Sequence, residues 1–420
     1  MGKDDTANDS YDPTQYEVFD ERPADADPSV LGFLVEQEPV TKRRTAVIRT
    51  TDRIQFRRCR RRWGWGSHLR GNLGPKENAS PLWMGSGFHF ALEDFHGAKR
   101  FPTASAAFDA FVDATKRHDK TSLPVDWSDL WELSVGMLDY YEHQWLRHRT
   151  PLQTFVFNGV PQVEVNFRVE IPFDASHWGY DDVVYSGTLD RVCIDEYGQL
   201  WIVEYKTAKS IQTLHLANDS QVSSYCWAGQ YLYGQPIVGV IYQQHRKDLP
   251  KEPRLLANGR LSVDKSQLIT ASSFREKILT KYSRITDAPS DHVELLNYLV
   301  SQESPKGDKF VLRNYIQRNA QQCQAEGVKI LMETEEMLNP DLPLYPNPDR
   351  TCQFMCPFNG PCVSMDDGSD WAYEMELLMK PREKMYDSWR KKVKYPDEQF
   401  APMFGELPQP KLIDYQPVKE

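Results

Sequence analysis

The sequence lacks any long apolar run. No stretch of the 420 residues approaches the roughly 20 consecutive apolar residues of a membrane-spanning helix, which argues against a transmembrane protein. The opening residues, MGKDDTANDSYDPTQ, also lack the apolar segment of a secretory signal peptide. We therefore expect a cytoplasmic protein with no membrane partner.

Two other features are absent. No P-loop of the form GxxxxGK[ST] occurs, so a motor ATPase fused to the rest of the chain is not expected. No export signal accompanies the seven cysteines, and an odd number of cysteines in such a chain argues against a disulfide framework. Cys193, Cys226 and Cys323 lie in ordinary strand or helix patterns, and four cysteines remain to be explained.

Charge is distributed unevenly along the chain. Residues 1–40 carry eleven acids and two bases, so they account for −9 of the net charge of −10. Residues 42–62 hold ten Lys or Arg and one acid. An acidic segment beside a basic one is typical of nucleic-acid binding or of a tail that masks a basic surface, and a plain solvated face is the alternative.

Composition and hydrophobic period divide the chain into segments. The order of helices, antiparallel strands, a helix and a further strand predicts an α/β (α+β) fold with a mixed sheet flanked by helices. The expected segments are 1–45, acidic and disordered; 46–160, helical; 161–245, the strand-rich core; 246–340, helical; 341–395, cysteine-rich with a final helix; and 396–420, a tail.

Residues 185–209, YSGTLDRVCIDEYGQLWIVEYKTAK, read as two strands around a turn. A turn centred on Tyr197 puts Asp190 opposite Glu204, with Cβ atoms about 5 Å apart. Facing carboxylates repel, and a divalent cation such as Mg²⁺ between them removes the repulsion. Lys206 projects from the same face as Glu204 and can hold a water beside the metal.

This prediction depends on the strand register. A shift of one residue in the turn would put the two acids on opposite faces of the sheet. The alternative is a surface strand whose acids form ion pairs with lysine.

The motifs GTLD (187–190) and EYK (204–206), fourteen residues apart, resemble the PD-(D/E)XK nuclease superfamily. The spacing and the ending EYKTAK are similar to the branch that includes RecB-type and AddB-type nucleases. GSGFHFALEDF (85–95) resembles the helix of that branch that carries a metal-binding histidine, here His89. VEVNFRVEI (163–171) resembles the strand before the hairpin. A packed or capping histidine is the alternative for His89.

QVSSYCWAG resembles the Gln-x-x-x-Tyr motif of the same branch and gives Gln221 and Tyr225. Four residues apart, they share one helix face, which can reach the scissile strand. Ordinary amphipathic-helix residues are the alternative. Together these resemblances span residues 46–240 and imply a restriction-endonuclease-like core.

The resemblance implies hydrolysis of phosphodiester bonds assisted by a metal. Asp190 and Glu204 would hold Mg²⁺ or Mn²⁺ with His89 and the backbone carbonyl of Tyr205, and the metal would activate a water. Lys206 would orient that water. Gln221 and Tyr225 would complete the catalytic residues.

Cys352, Cys356 and Cys362 lie close together in CQFMCPFNGPC, a spacing typical of metal ligands. A fourth ligand must come from elsewhere, and Cys59 in FRRCRRRW is the candidate. The pattern resembles the iron–sulfur subset of the superfamily, which includes CRISPR adaptation exonucleases, and implies a [4Fe–4S] cluster. Zinc, or no metal, is the alternative.

The substrate expected is DNA with a single-stranded end or flap. Basic groups contact phosphates, and aromatic rings stack on unpaired bases. For Trp63, a position in the core is an equal alternative. A second basic stretch, WRKKVK, lies at 389–394. The DNA-binding candidates are Arg57, Arg58, Arg60, Arg61, Arg62 and Trp63.

The chain resembles a stand-alone exonuclease of phage or prokaryotic recombination modules, in a bacterial or phage-infected host cytoplasm. Recombination or replication proteins are possible partners. The alternatives are a non-catalytic DNA-binding or assembly subunit with a nuclease-like fold, and a structure-specific endonuclease.

Overall fold

The computed structural model describes most of the chain as one compact unit. Residues 1–43 of the predicted acidic segment 1–45 lie outside the described residues. The basic stretch 389–394 and the tail 396–420 also lie outside them. The described residues are 44–76, 80–118, 123–147 and 152–382.

Strands of the described residues form one seven-stranded sheet and two small two-stranded sheets. The longest strands carry alternating or continuous apolar residues, as their burial requires. The strands are β1 Thr45–Arg49, β2 Leu73–Pro75, β3 Gln153–Thr154, β4 Val156–Phe157, β5 Val160–Pro161, β6 Val163–Glu170, β7 Asp182–Ile194, β8 Leu200–Ala208, β9 Ile237–Arg246, β10 Val311–Gln317 and β11 Met379–Pro381.

Helices lie between these strands and after them. Single turns of 3₁₀ helix occur at Ser176–Trp178, Leu216–Asn218 and Ile285–Asp287, and a π-helical turn at Asp94–Ala98 extends the third α-helix. The α-helices are α1 Thr50–Arg58, α2 Arg60–Gly66, α3 Ser80–Glu93, α4 Ala104–His118, α5 Trp127–Arg147, α6 Ser220–Tyr233, α7 Ala271–Tyr282, α8 Ser290–Gln302, α9 Ala320–Leu338, α10 Cys352–Met355, α11 Asn359–Asp367 and α12 Trp371–Leu378.

The large sheet is mixed. Its main path runs β1-β7-β8-β9-β10, and β3 and β6 also pair with β7. β7 pairs with β8 antiparallel, and β8 pairs with β9 parallel through the crossover helix α6. A mixed sheet flanked by helices confirms the predicted α/β fold and is consistent with a restriction-endonuclease-like architecture.

Helices cover both faces of the sheet. On one face, Tyr185, Ile202 and Val240 pack with Ala228 of α6 and Ile330 of α9. Successive residues of a strand point to opposite faces, so the next residue of β8 joins the other core. The burial of both faces explains why β8 begins as an uninterrupted apolar run.

The opposite face packs against α3, α4 and α5. Val203 and Ile241 of the sheet contact the layer that contains Phe88, Phe108 and Tyr141. This packing fixes α3 beside the centre of the sheet, where β6, β7 and β8 lie together.

The segment 246–340, predicted to be helical, also contains a strand. VLRNYIQ forms β10, which pairs antiparallel with β9 from Val311 opposite His245 to Gln317 opposite Gly239. Alternating burial and pairing with the edge of β9 favour the strand over a helix. Residues 247–310 form an insertion between these strands, where α7 and α8 share a small apolar core.

In the described part of the chain, none of the helices has the length and apolar character that crossing a membrane requires.

Candidate active site

The β7–β8 hairpin has the register that the sequence predicts. Its ladder includes Arg191 opposite Val203. Asp190 precedes Arg191 on β7 and Glu204 follows Val203 on β8, so this register, extended by one residue, puts the two carboxylates opposite each other. Both side chains are buried, with exposed fractions of 7% and 3%.

A third acid, Glu164 of β6, completes a row with Asp190 and Glu204. The residues before and after Glu164 pair with the residues after and before Asp190, so Glu164 lies opposite Asp190. The sequence pattern did not single it out, because an acid on the polar side of an alternating strand is common. Only the pairing of β6 with β7 reveals it.

Glu164 has a backbone φ of 46°, in the left-handed region that non-glycine residues rarely adopt. Such strain costs on the order of 1–3 kcal/mol and persists only where the surrounding structure fixes the conformation. Strained residues cluster at functional sites, which agrees with the position of Glu164 beside the other two acids.

His89 of α3 reaches the row of acids from the helical layer. Its Nδ1 lies 3.0 Å from Glu164 Oε1 and 3.4 Å from Asp190 Oδ1. Burial lowers the pKa of an imidazole, but the two carboxylates outweigh burial and hold the pKa of His89 well above its usual range. One ligand atom from each of these three residues lies within 4.8 Å of the others, so they form a candidate set for a metal ion.

Glu204 has one satisfied and one unsatisfied oxygen. Its Oε1 accepts hydrogen bonds from Gln221 Nε2, at 3.1 Å, and from the Lys206 ammonium. Among the described residues, its buried Oε2 has no hydrogen-bond partner. Burial and the facing Asp190 raise the pKa of Glu204 to about 7. A buried carboxylate oxygen without a partner fits a cation, since such a group is costly when left unsatisfied.

Asp190 differs from Glu204 in its surroundings. The Tyr205 backbone N–H donates to Asp190 Oδ2 at 2.7 Å. Burial raises the pKa of a carboxyl group, but His89, Lys206 and this N–H outweigh burial and lower the pKa of Asp190. Facing acids with pKa values pushed apart are typical of catalytic carboxylates.

Lys206 remains charged in this site. Burial lowers the pKa of an ammonium, but Glu204 and Asp190 outweigh it and raise the pKa of Lys206. The predicted role of the Tyr205 carbonyl as a metal ligand stays a prediction.

Gln221 and Tyr225 project from α6 toward Glu204. Asp219 caps this helix by accepting the Gln221 backbone N–H at 2.7 Å. Gln221 Nε2 also donates to Tyr225 Oη at 2.8 Å, so both side chains belong to one hydrogen-bonded group with Glu204. Their predicted contact with the scissile strand stays a prediction.

The basic candidates lie around α1 and α2. Trp63 is fully buried against Phe56, which agrees with the core alternative for this residue and leaves no face free for base stacking in this structure. The predicted DNA contacts of the arginines stay predictions. Arg57 pairs with Glu326 and Glu333, Arg60 with Glu336 and Arg61 with Asp366, Arg58 bonds to Thr351, and Arg62 keeps a buried Nη1 without a hydrogen-bond partner in the described chain.

The prediction of a [4Fe–4S] cluster, or of zinc in its place, is corrected. Among the described residues, no three cysteine sulfur atoms lie within 4.8 Å of one another as a ligand set. All seven cysteines are free of disulfide bonds, and they are not positioned to bind a [4Fe–4S] cluster. The four cysteines concerned are Cys59, Cys352, Cys356 and Cys362.

Separate hydrogen bonds hold these sulfur atoms. Cys59 Sγ accepts the Asn347 backbone N–H at 3.5 Å, and Cys362 Sγ accepts the Arg61 guanidinium at 3.3 Å. The cysteine spacing in the sequence is therefore compatible with thiols that stabilise the contact between α2 and the C-terminal helices.

Comparison with known families agrees with the geometry of the row of acids. The family model of the PD-(D/E)XK nuclease superfamily matches residues 54–363. The chain belongs to the PD-(D/E)XK nuclease superfamily. Members are nucleases, which are hydrolases that use divalent metals, and the nuclease fold implies DNA as the substrate.

The other comparisons add little to this assignment. Comparison with curated proteins gave no match. One similar solved structure, described as "Crystal structure of SSO0001", has 12% sequence identity over 60% of this chain and 90% of that chain. Its TM-score of 0.21 is too low to support an argument. Assignment of this PD-(D/E)XK chain therefore depends on the family match.

Proposed function

We propose that this PD-(D/E)XK protein is a Mg²⁺- or Mn²⁺-dependent deoxyribonuclease of the RecB/AddB-type branch. It acts as an exonuclease on single-stranded ends or flaps, in DNA recombination, repair or processing. One observation carries the proposal. Asp190 and Glu204 face each other beside the Lys206 ammonium, and the buried Oε2 of Glu204 has no hydrogen-bond partner in the described chain.

The donor set suits a hard divalent cation. His89, Glu164 and Asp190 offer one imidazole nitrogen and two carboxylate oxygens within 4.8 Å of one another, and the partnerless Oε2 of Glu204 lies on the next strand, β8. A bound divalent cation lowers the pKa of a water and offsets charge on the phosphate oxygens. The partnerless Glu204 Oε2 supports this assignment, because a cation would satisfy it.

Lys206 acts on the attacking water and on the phosphate. Its ammonium stays protonated beside Glu204 and Asp190, so it offers N–H donors and a positive charge at the edge of the acids. It orients a water through hydrogen bonding and offsets negative charge that develops on the phosphate.

Gln221 and Tyr225 hold the substrate strand against the acids. The Gln221 amide bonds both Glu204 and Tyr225, which fixes the three side chains relative to one another. In this proposal Gln221 and Tyr225 contact a phosphate or sugar beside the scissile bond.

End-labelled single-stranded and double-stranded DNA, incubated with Mg²⁺, Mn²⁺ or chelator, tests this function. Wild-type protein should release mononucleotides or short products from free ends in either metal, and chelator should stop the reaction. Circular single-stranded DNA should resist an exonuclease. Asp190→Asn should abolish cleavage, and Asp195→Asn in the hairpin turn should retain it. Wild-type binding without cleavage under every metal condition would favour a non-catalytic DNA-binding subunit instead.

A further inference from the structure

The parallel pairing of β8 with β9 extends the candidate site past Lys206. Register partners in parallel strands share a face of the sheet, and Lys206 pairs with Gln244 while Ala208 pairs with Arg246. Gln244 and Arg246 therefore lie on the face that carries Glu204 and Lys206. Two residues along a strand advance the chain by about 6.6 Å, which is similar to the separation of successive phosphates in a nucleic-acid strand.

Gln244 has a donor without an acceptor on this face. Its Oε1 accepts the Gln212 backbone N–H at 3.0 Å, which fixes the orientation of the amide. Its buried Nε2 has no hydrogen-bond partner among the residues that the structure describes, and its side chain is 3% exposed. Unsatisfied buried donors are uncommon and need an explanation, and an anion on this face would provide an acceptor.

Three cations lie where β8 and β9 end, and we name Lys209, Arg246 and Lys247 the cationic ledge. The Lys247 backbone N–H donates to Ala208 O at 2.8 Å, so Lys247 lies beside the chain that leads to Lys209. Lys209 is exposed and the other two are half-buried.

Within the described ranges, no carboxylate forms an ion pair with the ledge. The ion pairs of the neighbouring insertion use other cations, such as Lys251 with Asp248 and Lys277 with Glu252. Burial and the Lys209 ammonium lower the pKa of Lys247, which agrees with like charges held close together. Cations kept together without an acid are typical of a surface that binds an anion.

We propose that the cationic ledge binds a backbone phosphate of the nucleic-acid substrate next to the phosphate at the catalytic acids. The ledge holds the strand in line with Lys206, and the Gln244 amide donates to the same phosphate once the backbone at Gln212, which bonds the amide oxygen, moves aside. This inference rests on the proposed nuclease function, because it assigns the path of that substrate.

Binding without metal tests the ledge separately from cleavage. We would measure the affinity of the full chain for a fluorescent oligothymidylate by anisotropy, in EDTA, over about 50 to 200 mM KCl. Each phosphate contact contributes about 0.7 to the slope of log affinity against log salt for single strands. Because the ledge binds one phosphate, the triple variant Lys209→Gln, Arg246→Gln, Lys247→Gln should lose about 0.7 from the slope.

A variant with the same change of charge serves as the control. Arg275→Gln, Lys277→Gln and Lys281→Gln remove three exposed cations from α7, which packs on α8. The control should keep a wild-type slope. Arg246→Gln alone should lose only part of the slope that the triple variant loses, because two cations of the ledge remain. Equal melting temperatures for all variants would exclude misfolding as the cause.

The outcomes separate the two proposals. A smaller slope of log affinity against log salt in the ledge variants, but not in the control variant, supports phosphate binding by the ledge. Wild-type binding and cleavage with equal slopes for the ledge and control variants would overturn the ledge and leave the nuclease function intact. Failure of the wild-type protein to bind or cleave any nucleic acid would overturn both.

Discussion

Single residues set the electrostatics of the site. Asp190 and Glu204 face each other as the hairpin register predicts, yet their surroundings push their pKa values in opposite directions. Motif and spacing identify both acids in the sequence. No comparable signal marks Glu164, because the row of three acids exists only once β6 pairs with β7.

Lys206→Ala should remove the charge that orients the water. We expect cleavage to fall by at least about a hundredfold, since a positioned proton-transfer or water-orienting group contributes roughly 10²–10⁴-fold. DNA affinity should change little, because the phosphate contacts lie mostly elsewhere. Single-turnover cleavage and anisotropy binding check the two parts. Full activity in this variant would contradict the role of Lys206.

Glu164→Gln should weaken metal binding. Groups around a metal typically contribute about 10–100-fold to affinity, so we expect a loss in this range for Mn²⁺ measured by calorimetry. Glu170→Gln, at the exposed end of the same strand, is the matched control and should bind Mn²⁺ like the wild type. Equal affinities for both variants would remove Glu164 from the ligand set.

The strained backbone at Glu164 makes a second prediction. At φ 46°, alanine bears the cost of left-handed backbone and glycine does not. Glu164→Gly should therefore be more stable than Glu164→Ala by about 1 kcal/mol, the reverse of their usual order. Urea unfolding in chelator measures the difference. Greater stability of the alanine variant would show that the left-handed backbone is absent.

Elements position these residues. α3 carries His89 to the acids because it packs tightly on α4, and Gly87 lies at that contact. A Cβ added at Gly87 would lie 2.5 Å from the Phe108 ring and 2.7 Å from the Phe111 ring. A Cβ at Gly85 would meet no atom within 4 Å. The two glycines of GSGF are therefore not equivalent, which the sequence alone does not show.

Gly87→Ala should destabilise the protein by about 1–3 kcal/mol through overpacking. It should also lower cleavage, because a shift of α3 moves His89. Gly85→Ala in the same helix should be neutral or stabilise by up to about 1 kcal/mol. Thermal unfolding and cleavage assays of both variants check this. Equal effects of the two substitutions would contradict the close packing of α3 on α4.

At the level of elements, periodicity predicted much of the core and missed particular parts. The β7–β8 hairpin, β6 and α6 follow from alternation, turn position and helix spacing. β10 was missed because VLRNYIQ becomes a strand only through its partner β9. The [4Fe–4S] cluster was predicted wrongly because close spacing in sequence does not require three sulfur atoms to lie within ligand distance of one another.

At the scale of the whole molecule, the sheet and α3 bring site residues from distant parts of the chain close together. His89, Glu164, Asp190 and Glu204 come from one helix and three strands, and the match to the superfamily spans residues 54–363. Pairing of strands far apart in sequence is difficult to deduce from local pattern. The resemblance to a family, rather than periodicity, therefore supplied most of the predicted site.

Removal of residues 1–40 should strengthen DNA binding at low salt. These residues carry −9 of the net charge of −10, so the remaining chain is nearly neutral and repels phosphates less. Anisotropy binding at low and high KCl, with and without the segment, measures this. The difference should vanish at high salt because of screening. A truncated form with equal or weaker affinity at low salt would contradict the idea of an acidic mask.

Anomalous diffraction from crystals soaked in Mn²⁺ tests the central claim most directly. We predict a peak at the row of acids, with His89, Glu164, Asp190 and Glu204 in its coordination shell. The peak should disappear in Asp190→Asn crystals treated in the same way. Mn²⁺ bound only elsewhere, or Asp190 and Glu204 on different faces of the sheet, would contradict the proposed metal site.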